Sequence, residues 1–143
     1  MTAYDQNNIF ARMIRGEIPA HKVYEDDSTL AFMDIMPRTD GHVLVIPKTP
    51  ARNILDIAPD ALADLIVKTQ KVAIAAKQAM GADGLTVQQF SESAGGQVVF
   101  HIHMHILPRF DGVALKPHTG AMAEPGLLAE QAARIREALN GSA

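Results

Sequence analysis

An α+β fold, five antiparallel strands in one sheet with a long helix and a C-terminal helix, is predicted by three features of this 143-residue chain. Short apolar runs bounded by Gly, Pro, Asn and Asp follow one another in hairpin-like succession, two segments carry a 3.6-residue apolar period, and 48% of the residues are hydrophobic. Length and hydrophobic content suit one globular domain, 1–143, with loop-like stretches at about 1–7 and 110–124.

The first helix is short. Asn7 or Asn8 caps it, Ile9, Phe10, Met13 and Ile14 share one side, Gly16 lies near its end and Pro19 beyond. Residues 21–25 and 28–35 form a hairpin around Glu25-Asp26-Asp27-Ser28. After the loop Met36-Pro37-Arg38-Thr39-Asp40-Gly41 comes a third strand, 42–46, stopped by Pro47 and Pro50. Pro59 suits a helix start, and Leu62, Leu65, Ile66, Thr69, Val72, Ala73, Ala76 and Met80 then form a stripe that ends at Gly81. Residues 85–90 and 98–107 make two more strands around a turn at 91–96. A last helix, about 126–139, places Leu128, Ala132, Ile135 and Leu139 on one face.

Composition narrows the function. A net charge of −3 and a pI near 6.0 argue against a general nucleic-acid or anionic-membrane binder, while a small anionic ligand fits. Cysteine is absent, which excludes disulfides and thiolate zinc sites. Met1 to Asn8 is polar, without a basic segment and apolar core, and no apolar run reaches bilayer-spanning length, so a cytoplasmic location is expected.

Residues 101–105 are His-Ile-His-Met-His. On a strand, side chains alternate, so His101, His103 and His105 are expected on one face and Phe100, Ile102, Met104 and Ile106 on the other, toward the core. Packing alone never requires imidazole at every second position. Imidazole serves as nucleophile, proton carrier or metal ligand near neutral pH, so this row is the candidate site. Three histidines also make catalytic zinc sites, which metal analysis of untagged protein would test.

The run Gly95-Gly96-Gln97-Val98-Val99-Phe100-His101-Ile102-His103-Met104-His105-Ile106-Leu107-Pro108-Arg109 closely resembles the histidine triad superfamily of nucleotide hydrolases and transferases, including its bacterial nucleotide-binding members. The likeness extends through Ile9-Phe10, Gly16-Glu17-Ile18-Pro19, Val23-Tyr24-Glu25-Asp26-Asp27, Ala31-Phe32-Met33-Asp34-Ile35 and Gly41-His42-Val43-Leu44-Val45-Ile46-Pro47-Lys48. It implies a HIT-like fold, a homodimer and covalent catalysis on a nucleotide α-phosphate, with no cofactor and no metal in the attack. His103 matches the nucleophile, His101 and His105 the residues that orient it and the phosphate, and His42 the fourth, more distant histidine. Flanking imidazoles oppose protonation of the nucleophile.

The same resemblance implies that Asp34 accepts from the ribose hydroxyls and that Phe10, Met13, Ile18, Phe32 and Ile35 wall the base. Backbone N–H groups of Gly95, Gly96 and Gln97 are expected to face the phosphate, where donors aimed at developing charge stabilise it. His21 and His118 match no ligand and are expected at the surface. Three departures stand out. Ser91 replaces a common asparagine, Val98 a serine or threonine that assists the leaving group, and Asn8 and Ala11 the cysteines of a structural zinc site. The expected activity is hydrolysis of purine nucleoside 5′-phosphoramidates or related mixed phosphates. Alternatives are a dinucleoside polyphosphate hydrolase, or a nucleotide sensor with vestigial activity.

Overall fold

The computed structural model describes residues 3–117 and 120–141. Five strands, β1 (Lys22–Glu25), β2 (Thr29–Met33), β3 (Val43–Pro47), β4 (Gly84–Gln88) and β5 (Met104–Arg109), form one antiparallel sheet in the order β1-β2-β3-β5-β4. Helices α1 (Ile9–Ile14), α2 (Pro59–Met80) and α3 (Pro125–Gly141) complete the α+β fold expected from the sequence. His118 lies outside the described residues, and His21 is half-buried just before β1.

Both faces of the sheet are covered, and each cover follows from an apolar stripe. Leu65, Val72 and Ala76 of α2 and Leu128, Ala132 and Ile135 of α3 pack on Val43, Val45, Ile102, Met104 and Ile106. On the opposite face, Phe10 and Met13 of α1 pack on Leu30, Phe32, Leu44 and Ile46. Alternate residues of β3 therefore serve two cores, and β2 and β3 are buried along their whole length. That explains their continuous apolar runs. Asn8 caps α1 by accepting the Ala11 N–H at 2.9 Å. Gly81, at φ 62°, ends α2 as expected, because a left-handed C-terminal residue favours glycine.

Two expectations need correction. Ile66 is not part of the buried stripe of α2 but is 47% exposed, because the helix turns it away from the sheet. More consequentially, β5 starts at Met104 and not at residue 98. In the observed register Val45 pairs with Met104 and Gln88 with His105, so β3 is about to end at Pro47 and β4 at Gln88. Past Met104 toward the N-terminus there is little strand on either side to pair with, and Pro47 has no N–H to offer. Residues 98–103 leave the ladder. Phe100 consequently lies not in the core but half-buried, under the Arg52 guanidinium 4.1 Å from its ring centroid. At its other end β5 continues through Pro108, which pairs only with Leu85 of β4, because β3 has not yet begun there.

Candidate active site

A cavity opens on the α1 side of the sheet. Phe10 and Met13 of α1, Phe32 of β2 and Leu44 of β3 wall one part, Asp34 and Ile35 lie just past β2, and Phe90, Gly96, Val98 and Val99 come from the stretch joining β4 to β5. Between these groups sit His103 and His105. The strand order makes this arrangement: β2 and β3 carry the apolar wall, β5 carries His105 beside it with His103 just before the strand begins, and the chain leaving β4 closes the far side.

His42, His101 and His103 are each held in one tautomer by a main-chain group whose role is unambiguous, since an N–H only donates and a carbonyl only accepts, and His105 is set in turn by His42. His103 donates Nδ1–H to the His101 carbonyl at 2.7 Å, so in the neutral ring the lone pair is on Nε2. Phe10 packs edge-on against that ring, with centroids 5.0 Å apart and planes at 85°. His42 is fully buried and accepts the Arg38 N–H on Nδ1 at 3.1 Å, which puts its proton on Nε2. That proton faces His105 Nδ1 at 3.0 Å and Asp34 Oδ2 at 3.5 Å. His105 accordingly accepts on Nδ1 and carries its own proton on Nε2. The ring of Phe90 lies tilted against it, centroids 5.2 Å apart.

Asp34, His42 and His105 bring three ligand atoms within 4.8 Å of one another, a spacing compatible with a metal ion. His42, however, presents a proton and not a lone pair to the group, which is the arrangement of a hydrogen-bond relay. Asp34 also accepts the Met36 N–H at 2.9 Å.

His101 differs from its neighbours. It does not line the cavity; its Nε2–H is donated to the Pro47 carbonyl at 2.8 Å, and its Nδ1 accepts from the Tyr4 hydroxyl at 2.5 Å. Burial pushes its pKa down to about 4, assisted by the nearby His103 and opposed by the bond to Pro47. In the unfolded chain the same ring takes up a proton below about pH 6.5. Between about pH 6.5 and 4 the unfolded state thus binds the extra proton, and stability should fall by about 3 kcal/mol as pH is lowered through this window. A titration of the histidine ring resonances checks it. Those of His101 should stay in the neutral position down to pH 5, whereas a midpoint above 6 would contradict the assignment.

Of the residues expected to contact a nucleotide, Phe10, Met13, Phe32, Asp34, Ile35, Gly96 and Val98 line the cavity. Ile18, Ser91 and Gln97 do not. Ile18 packs behind α1, Ser91 Oγ bonds to the Gln89 side chain, and Gln97 is buried with its amide engaged by neighbouring loops. The expected phosphate donors also change. The N–H groups of Gly95, Gly96 and Gln97 are taken by the carbonyls of Glu92, Ser93 and Glu92, because residues 93–95 form a 3-10 turn that Gly96 ends at φ 97°. Among the described residues, the N–H groups of Val98 and Val99 have no such acceptor, and both residues line the cavity. Ile9, Met33, Met36, Leu44, Phe90 and Val99 are lining residues that sequence reasoning missed. The apolar spacing around α1 was the available signal for Ile9; for Phe90 there was none.

Comparison with known proteins agrees with the fold. The sequence profile of the HIT domain matches residues 15–112. A Hit-like protein involved in cell-cycle regulation from Bartonella henselae, crystallised with an unknown ligand, is 51% identical, aligns over 95% of this chain and 99% of its own, and has a TM-score of 0.89. A hypothetical histidine triad nucleotide-binding protein from Sulfolobus tokodaii is 33% identical over 92% of this chain and 91% of its own, at a TM-score of 0.84. An adenylylsulfatase of Arabidopsis thaliana is 38% identical over 101 residues, 71% of this chain and 51% of that protein. With a profile matched over most of its length and a structural relative at 51% identity, this chain belongs to the histidine triad (HIT) family of nucleotide hydrolases and transferases.

Proposed function

We propose that this protein hydrolyses nucleoside 5′-phosphoramidates or related mixed phosphates of a purine nucleotide, through a nucleotidyl group carried on His103. The observation that carries the reading is the bond from His103 Nδ1 to the His101 carbonyl, which leaves Nε2 as the nucleophilic nitrogen of a ring lining the cavity. The Nε2 lone pair attacks the α-phosphorus, the bond from phosphorus to the leaving group breaks, and the leaving group departs with that electron pair and takes up a proton. Water then attacks the same phosphorus, releasing nucleoside monophosphate and restoring the imidazole. His105 Nε2–H and the N–H groups of Val98 and Val99 are the donors for the phosphate oxygens. Asp34 receives the ribose hydroxyls, and Phe10, Met13, Phe32 and Ile35 the base.

Rapid quenching of enzyme mixed with α-labelled substrate tests this. The expected result is acid-labile, base-stable label on the protein within the first turnover, at one site containing His103; tight binding without label would favour a nucleotide sensor. Adenylyl sulfate and dinucleoside polyphosphates belong in the substrate panel, the former because the Arabidopsis relative is an adenylylsulfatase.

A homodimer is part of the same proposal. Strand β4 is an edge of the sheet with Val87 44% exposed, and α2 turns Ile66, Val67 and Ile74 outward. An unpaired edge beside exposed apolar side chains suits pairing with a second copy. On the net charge of −3, neither nucleic acid nor an anionic membrane is among the proposed partners, and the cytoplasm is the proposed location.

A further inference from the structure

Residues 92–99 reach the cavity without strand pairing, yet their path is closely specified. Glu92 has φ 64° and ψ 165°, a backbone region that is essentially reserved for glycine. A cluster from the loop after β3 holds it there. Arg52 donates Nε–H and Nη2–H to the two carboxylate oxygens of Glu92 at 2.8 and 3.0 Å, a bidentate pair. Asn53, fully buried, adds Nδ2–H to Glu92 Oε2 at 2.6 Å. The Arg52 guanidinium also lies over the ring of Phe100, next to His101.

The main chain is fastened as well. Gln97 Oε1 accepts the Glu92 N–H at 2.8 Å and Asn53 Nδ2–H at 3.1 Å. Its Nε2 donates to the carbonyls of Arg52 at 2.7 Å and Val99 at 3.1 Å. Val98, with its flanking residues thus fixed, lines the cavity, and among the described residues its N–H has no main-chain acceptor. Nothing in the nucleotide chemistry proposed above uses Arg52, Glu92 or Asn53, and none of the three lines the cavity.

We propose that Arg52 and Glu92 are positioning residues, which hold the 92–99 loop in an otherwise disfavoured path so that the Val98 and Val99 N–H groups meet the phosphate. The inference rests on the phosphate-binding role given to that loop above. It separates two contributions to binding: the nucleoside part is read by α1, β2 and Asp34, whose placement does not depend on the clamp, and the phosphate part is read by the loop, whose placement does.

Adenosine and adenosine 5′-monophosphate are the probes, with affinities measured by calorimetry on the full chain alongside kcat and KM. Arg52→Ala and Glu92→Ala should each weaken the monophosphate by roughly tenfold or more and lower kcat, while adenosine binding stays within about twofold, since releasing backbone strain and a charge-assisted pair frees only the loop. Glu92→Gly is the rescue. Glycine adopts this φ and ψ unaided, so this variant should recover most of the monophosphate affinity that Glu92→Ala loses. Equal loss of both ligands in the alanine variants, or no loss of either, would overturn the clamp, as would a glycine variant no better than alanine. Arg52→Lys, which keeps the charge but not the fork, should fall between wild type and Arg52→Ala and serves if the alanine variants do not fold. Failure of the underlying reading has a different signature: wild-type protein would itself show no preference for the monophosphate over adenosine.

Discussion

Replacing His103 with alanine should reduce turnover by at least about 1,000-fold while nucleotide binding remains measurable. The substitution removes a cavity-lining ring whose Nδ1–H is tied to a main-chain carbonyl, and so the nitrogen to which the nucleotidyl group is assigned. It removes little of the proposed nucleoside wall of Phe10, Met13, Phe32 and Ile35. Steady-state assays and calorimetry with the product monophosphate separate the two quantities. Retention of more than a few per cent of wild-type kcat would exclude His103 as the nucleophile. Loss of binding in step with activity would place it among the groups that hold the ligand instead.

Substituting His42, which is fully buried behind His105, should also lower kcat sharply. Without His42, the His105 Nδ1 loses the donor that puts the proton of that ring on Nε2. Losing the group that holds a catalytic imidazole in its tautomer costs roughly 100- to 10,000-fold in rate. His42→Ala leaves the Arg38 N–H without its acceptor as well, so stability should drop by about 1–3 kcal/mol, and the assay belongs well below the shifted melting temperature. His42→Gln, whose amide both accepts and donates, should lose less in stability than in rate. A folded His42 variant with kcat within about threefold of wild type would show that the relay does not govern the proton on His105.

Most of the scaffold was legible because its signals are local. The α2 stripe repeats with the helical period, Pro59 and Gly81 mark its ends, and the runs in β2 and β3 are apolar because both faces are covered. The histidine run was legible as chemistry but not as geometry. Alternation on a strand places His101 beside His103, but the strand lasts only while its neighbours do, and their ends at Pro47 and Gln88 are facts of register that a linear pattern does not carry. The clamp was hidden for a related reason. Arg52 and Glu92 are 40 positions apart, and each alone is an ordinary surface residue type. Gln97 was recognised as important, yet its side chain serves the loop rather than the cavity. Gly96 needed the turn to be seen before its φ had a reason.

The partners that place the protons on His42, His101 and His103 are the Arg38 N–H, the Pro47 carbonyl and the His101 carbonyl. All three are peptide groups, which every residue except proline carries in full and which proline carries as an acceptor. Substitution at positions 38, 47 or 101 changes a side chain but leaves the peptide atom that matters in place, a proline at 38 excepted because it would remove the N–H. A hydrolase that set these rings with carboxylates would expose its proton inventory to single-nucleotide changes at each partner. Here the inventory is inherited chiefly with the path of the chain, and a shift of the loops carrying those peptides would alter it.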